Sequence, residues 1–252
     1  MLNISNYSPL EQFEIVQIIP IQLQGLDISF TNSSLFCILI LFILVYLFLL
    51  STSNKTILPN QWQTVTEELY SFILNMVIEN VGKEGLKYFP LIFSLFTFIL
   101  IANLLGMIPY SFTVTSHIIV TFGLSLSIFI GVTLIGFYTH KIHFFSILLP
   151  SGTPLVLSFF LVIIELISYV ARAFSLAIRL FANLMSGHSL LKILAGFAWS
   201  MLSIGGIFYL LSLVPLVVVF AVTGLEIGIA MLQAYVFTIL TCLYLNDAIH
   251  LH

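Results

Sequence analysis

Ala171 to Leu194 reads ARAFSLAIRLFANLMSGHSLLKIL, and this stretch decides the fold because it places both arginines of the chain inside an otherwise apolar segment. An arginine in hydrocarbon costs roughly 2.5 to 3.5 kcal/mol at the centre of a membrane helix, so it indicates a functional site. Arg172 and Arg179 lie seven residues apart and share one helix face within roughly 20°. For Arg172, pairing with neighbouring side chains or snorkelling is an open alternative; it is weaker for Arg179, which lies deeper in the run.

Other polar residues extend this pattern along the same predicted helix. Glu165 lies one heptad before Arg172, on the same face. Asn183 follows Arg179 by one turn and lies about 40° around the helix from it. His188 points to the opposite side, and a packing role for this histidine stays open.

The composition describes a membrane protein. Of 252 residues, 60% are hydrophobic and 7% are charged, and the mean hydropathy is +1.18, which excludes a soluble domain. The net charge of -3 offers no basic patch for nucleic acid. Because we find no phosphate loop, no CxxC metal pair and no hydrolase elbow, we expect no cofactor and no metal. The acidic N-terminus resembles neither a signal peptide nor a transit peptide.

The apolar runs predict an all-α polytopic membrane protein with about five membrane-crossing helices and one surface amphipathic helix, in a single membrane domain over 1–252. Two long segments close the chain, each about 60 Å if helical, whereas a bilayer core measures about 30 Å. We therefore expect the last two helices to be steeply tilted and to form an antiparallel hairpin. The predicted segments are an N-terminal segment (1–27), a first span (30–52), the surface helix (60–80), a hairpin of two spans (88–138) and the two long helices (154–195 and 206–250).

The lysines predict the orientation. With five spans and an outer N-terminus, Lys55, Lys83, Lys87 and Lys141 all fall on one face. The positive-inside rule makes this the inner face. Lys192 does not fit the pattern.

A second polar stripe lies on the last predicted helix. Glu226 and Gln233 are one heptad apart, and Asp247 lies two heptads further on. An antiparallel hairpin predicts that Asp247 meets Glu165 at the inner face and that Glu226 meets His188 toward the outer face. Polar contacts that only hold helices together are the alternative for these side chains, most of all for Gln233.

This layout suits proton movement through two offset half-paths. Carboxylates and imidazoles exchange protons with water, whereas an arginine does not deprotonate in proteins and cannot relay a proton. Arg179, between the two clusters, would insulate one path from the other. A lysine can lose its proton when it is buried, so it would be a leaky substitute.

Several motifs resemble subunit a of the F-type ATP synthase. The strongest are SLAIRLFANLMSGHSLLKIL (175–194), LEIGIAMLQAYVFTIL (225–240) and YLNDAIHLH (244–252). The segments SPLEQFEI (8–15), FTNSSLF (30–36) and GMIPYSFTVTSH (106–117) are similar to the mitochondrial form of plants, algae and fungi. The resemblance covers nearly the whole chain.

The resemblance implies a stator subunit that is no enzyme on its own and works against a rotating ring of c subunits. It implies that Arg179 is the essential arginine facing the ring, with Arg172 as a supporting residue. The intermembrane-space half-channel would hold Asn183, His188, Glu226 and Gln233, and the matrix half-channel Glu165 and Asp247. The implied setting is the mitochondrial inner membrane, in the lipid bilayer, and the implied partners are the c ring, peripheral-stalk and other Fo subunits, in a dimeric complex without nucleic acid.

Three other classes compete with this reading. A self-contained channel or antiporter would normally show broken helices or an inverted repeat, and the sequence shows neither. A scaffold subunit would use the same polar residues only to bind partner helices. An intramembrane hydrolase is disfavoured because Ser186 and His188 lie about 200° apart on a helix.

Overall fold

The computed structural model describes residues 8–23, 26–27, 29–53, 59–108, 111–141, 144 and 155–250. Five helices in these ranges are long and apolar enough to cross a membrane, so the predicted all-α polytopic fold is confirmed. Lys55 and the first seven residues of the predicted N-terminal segment lie outside the described residues. The five helices are α1 (Asn32–Ser53), α3 (Phe89–Gly106), α4 (Ile118–His140), α5 (Leu155–Ile204) and α7 (Leu213–Ile249), and two further α-helices are α2 (Gln61–Val81) and α6 (Phe208–Leu211).

The two long helices form the predicted antiparallel hairpin, and their bounds differ from those expected. Helix α5 runs unbroken through Gly196 to Ile204, beyond the predicted end at 195. The second long segment begins with α6 at Phe208, close to the predicted start at 206, and continues as α7 from Leu213. The chain turns at Gly205 and Gly206, whose φ angles are +77° and +66°. Glycine adopts this left-handed backbone without steric cost, so the Gly205–Gly206 pair allows the helix to end there, whereas the single Gly196 lies within α5.

Helix α2 lies against the bundle and is not among the helices suited to crossing a membrane. Asn60 caps its N-terminus by accepting a hydrogen bond of 2.8 Å from the Gln61 backbone N–H. The buried side, which includes Ile73 and Val77, packs against α3 and α7. Trp62, near the start of the same helix, is 53% exposed.

Two small antiparallel ladders precede α1, and the sequence did not predict them. Strands β1 (Gln17–Ile19) and β4 (Phe30–Thr31) pair with each other, and β2 (Gln22–Leu23) pairs with β3 (Leu26–Asp27). Asn32 ties this segment to α1, because its Nδ2 donates a hydrogen bond of 3.0 Å to the Glu14 carbonyl.

Buried polar contacts fix the long hairpin against the two central spans. Asn103, fully buried on α3, donates from Nδ2 to the Ala230 carbonyl of α7 at 3.1 Å. Ser125 on α4 donates from Oγ to the Ala173 carbonyl of α5 at 2.6 Å. In a membrane, such bonds give helix packing the direction that apolar contacts alone lack. They set which faces of α5 and α7 meet, and so they position the polar stripes.

Candidate functional site

Arg172 joins three side chains at the end of the hairpin where α5 begins and α7 ends. Its Nη1 donates a hydrogen bond of 3.2 Å to Asp247 Oδ2, and its Nη2 lies 3.7 Å from Glu165 Oε1. The guanidinium also lies 5.7 Å from the centre of the Tyr244 ring, a cation–π contact. Glu165 and Asp247 therefore lie at the same end of the hairpin, as predicted. Arg172 pairs with neighbouring side chains, which was the alternative stated for it.

Asn183 and Gln233 meet in the middle of the hairpin. Asn183 Nδ2 donates to Gln233 Oε1 at 3.0 Å. Gln233 is buried, whereas Asn183 is exposed, so the pair reaches from the hairpin interior to its surface. The contact is compatible both with helix packing and with a proton path.

Glu226 and His188 line one cavity of about 220 Å³ between α5 and α7, with Met107 from the end of α3. Glu226 is only 7% exposed. Neither of its carboxyl oxygens, nor His188 Nε2, has a hydrogen-bond partner among the described residues. Buried polar atoms normally have partners, and a cavity of this size holds water. The prediction that these two side chains share one end of the hairpin is confirmed.

Gly187 makes room for the Glu226 side chain, a role that sequence reasoning missed. A Cβ at Gly187 would lie 2.5 Å from Glu226 Oε1 and 2.9 Å from its Cδ. Glycine inside a helix costs roughly 0.8 to 1.0 kcal/mol relative to alanine, so an interior glycine signals such a close approach.

Arg179 lies between the two polar clusters along α5. It is exposed, and no residue in the described part of the chain forms a hydrogen bond or an ion pair with it. The side chains that flank it on this face of α5 are small: Ser175, Ala182 and Ser186, all exposed. Small side chains let a second membrane helix approach closely. The hairpin thus presents an unpaired cation on a surface suited to helix contact.

The geometry bears on two of the competing classes. Ser186 donates its hydroxyl to the Asn183 carbonyl at 3.3 Å, and Ser189 donates to the Met185 carbonyl at 2.7 Å. Both hydroxyls are bound to their own helix, which disfavours a serine hydrolase. The unbroken α5 likewise lacks the interrupted helices of many transporters.

The chain is similar to one known protein family, and to individual proteins, over most of its length. A family model described as ATP synthase A chain matches residues 34–246. The chain is 61% identical over 249 residues to ATP synthase subunit a of Marchantia polymorpha, covering 97% of this chain and 99% of the relative. It is 56% identical over 245 residues to that of Chondrus crispus, covering 97% of each chain. Identity to the Rhodospirillum rubrum subunit a is 52% over 246 residues, covering 98% of this chain and 100% of the relative.

Proposed function

The chain belongs to the ATP synthase A chain family, and from this premise we propose how its membrane hairpin moves protons. It is a multi-pass, proton-translocating subunit of the membrane sector Fo, where it assembles with other Fo subunits. The proposal concerns the route of the proton, the ring that the chain faces and the membrane in which it operates.

Two offset half-paths carry the proton. One begins at the cavity of Glu226 and His188 and continues to the Asn183–Gln233 pair. The supporting observation is the set of buried, unpaired oxygen and nitrogen atoms at that cavity, which water can connect. The other half-path leaves along Glu165 and Asp247.

Arg179 separates the two half-paths. It is seven positions from Arg172, or about 10 Å along the helix, and nine positions from His188, or about 14 Å. An arginine does not deprotonate in proteins, so a proton cannot pass through it. A proton therefore crosses only when a carrier outside this chain takes it past Arg179.

The carrier is a carboxyl group on the c ring, which faces the exposed surface around Arg179. The observation that carries this proposal is the exposed guanidinium without a partner among the described residues, flanked by small side chains. Opposite Arg179 a ring carboxylate is held ionised, and in lipid it is protonated, because a bare carboxylate there is costly. Each charge that crosses 100 mV is worth about 2.3 kcal/mol, which biases rotation of the ring.

We place the chain in the mitochondrial inner membrane, in a dimeric complex with a peripheral stalk. Support comes from the motifs shared with the plant and algal mitochondrial form. The Rhodospirillum rubrum relative matches over a similar length, so membership of the family is compatible with a location in other membranes as well. Subcellular fractionation, with the chain followed by mass spectrometry, tests the location. Recovery with another membrane would overturn it.

Disulfide cross-linking tests the ring-facing surface. Ala182→Cys on the exposed face of α5 is paired with a cysteine in the outer helix of the c ring, after Cys37 and Cys242 are replaced by alanine. We expect efficient cross-links that stop ATP-driven rotation of the ring until a reductant breaks the disulfide. The matched control is Ala177→Cys, since Ala177 is fully buried on the same helix. Equal yields from both positions, or none from Ala182→Cys, would contradict the proposal.

A further inference from the structure

A second concave site lies away from the polar stripes. An apolar groove of about 560 Å³ runs between α1, α3, α4 and α7. The side chains that line it are almost all hydrophobic, and the hydroxyls of Ser94 and Ser127 at its wall donate to carbonyls of their own helices. Nothing in the proposed proton route uses this groove.

The groove extends through about half of a bilayer. It is lined from Tyr88, directly before α3, to Phe98 on α3, about 15 Å of helix, and on α4 from Leu124 to Ile135, about 16 Å. The hydrocarbon core of a bilayer is about 30 Å thick, so one leaflet is about 15 Å deep. A transmembrane helix of a partner would need a groove of full thickness. The length fits the acyl chains of one leaflet.

The Tyr88 end of the groove is the end that carries the lysines. Lys87 directly precedes Tyr88, Lys83 begins the same 3-10 helix (Lys83–Tyr88), and Lys141 follows the end of α4. All three lysines are exposed, and none forms an ion pair within the part of the chain that the structure describes. Exposed lysines beside an apolar groove match a negatively charged headgroup above acyl chains.

We infer that this groove binds an anionic phospholipid from the leaflet on the lysine-bearing face. Its acyl chains lie between α1, α3, α4 and α7, and its phosphate contacts Lys83 and Lys87. Tyr88 supplies an amphipathic ring at the boundary between headgroup and hydrocarbon, where tyrosine is favoured.

Two glycines on α4 provide a matched pair for the test. Gly131 lines the groove, and a Cβ there would meet nothing within 4 Å, so Gly131→Leu fills the acyl-chain site without a clash at its Cβ. Gly123, on the same helix, also has nothing within 4 Å of an added Cβ, but it does not line the groove. Gly123→Leu therefore controls for added bulk on α4.

The experiment uses the assembled ATP synthase in nanodiscs with a trace of photoactivatable phosphatidylglycerol or photoactivatable phosphatidylcholine. We expect phosphatidylglycerol to label peptides of α3 and α4 that line the groove, and phosphatidylcholine to label them weakly. Gly131→Leu should lower the phosphatidylglycerol label at least about fivefold, and Gly123→Leu should leave it unchanged. Each of Lys83→Gln and Lys87→Gln should lower it about fivefold, which corresponds to about 1 kcal/mol per lysine.

Three outcomes would overturn the inference. They are equal labelling by the two lipids, a label unchanged by Gly131→Leu, and cross-links from the groove to another protein subunit in place of lipid. If Gly131→Leu does not assemble, the lysine variants still decide the matter, because exposed lysine-to-glutamine changes leave the helices intact. A label that both lysine variants leave unchanged would be a fourth outcome that overturns the inference, because the inference requires an anionic headgroup at the lysines.

Discussion

Replacing Gly187 by alanine is expected to slow proton translocation while the chain stays folded. The added Cβ would lie 2.5 Å from Glu226 Oε1, 2.9 Å from Cδ and 3.2 Å from Cγ. These atoms belong to a flexible side chain, so the carboxyl group moves by about 1 Å to reach ordinary van der Waals separation. The cost in stability should then stay at or below about 1 kcal/mol, the low end for overpacking.

The functional cost should be larger, because Glu226 shares its cavity with His188. A misplacement of about 1 Å can slow a reaction about 100-fold. We therefore expect ATP-driven proton pumping in liposomes to fall between about tenfold and about 100-fold, measured with a pH-sensitive dye. Gly196→Ala is the matched control, since an added Cβ there meets nothing within 4 Å.

A shorter acid should relieve the clash. Glu226→Asp removes one methylene, so the Gly187→Ala/Glu226→Asp double variant should pump several times faster than Gly187→Ala alone. Pumping by Gly187→Ala at the wild-type rate would refute the reasoning. So would a double variant that shows only the product of the two single losses, because the two positions would then act independently.

Three further predictions test other parts of the structure. Gln233→Leu removes an interhelical hydrogen bond and should destabilise the purified complex by about 0.6 kcal/mol, measured as a shift in thermal unfolding. Asp247→Asn should destabilise the complex more than Glu165→Gln, because Asp247 lies 3.2 Å from the Arg172 guanidinium and Glu165 lies 3.7 Å from it. Each change should cost less than about 1 kcal/mol, since these side chains are partly exposed. The reverse order in denaturation midpoints would contradict this prediction. Burial lowers the pKa of His117 in the folded chain. As pH falls, the unfolded chain therefore binds a proton at this histidine before the folded chain does, and the stability of the fold declines below about pH 6.5. His117→Gln should flatten this decline in unfolding midpoints recorded between about pH 7 and about pH 5, and identical profiles would exclude His117 as its source.

Much of the hairpin could be predicted because helix geometry is regular and charges in this chain are rare. Heptad spacing alone placed Glu165 and Asp247 at one end of the hairpin, and the structure joins both to Arg172. The same spacing brought Glu226 to the end that holds His188. In an apolar helix polar residues are few, so their spacing shows which face they share. Two antiparallel helices can align two such polar stripes in only a few ways.

Features that depend on tertiary contacts could not be predicted. The ladders of β1 to β4 are two or three residues long and carry no usable alternation. The prediction ended α5 at 195, beside the single Gly196, whereas the helix continues to Ile204 and ends at the Gly205–Gly206 pair, where both φ angles are positive. The clearance at Gly187 for Glu226 depends on how closely α5 and α7 approach each other. The amino-acid composition does not determine the distance between these two helices.

The most direct test of the account is proton flux through liposomes that contain the purified complex, comparing wild type with Arg179→Gln and Arg179→Lys. We expect ATP-driven pumping to be lost in both variants and a passive proton leak to appear in Arg179→Gln, because the two half-paths are no longer insulated. Arg172→Gln is the comparison for the leak: it disturbs Asp247 and Glu165, which Arg172 contacts, but it should open no passive leak, since that arginine does not separate the paths. Normal pumping in both Arg179 variants, with no leak, would contradict the account and leave Arg179 a structural residue.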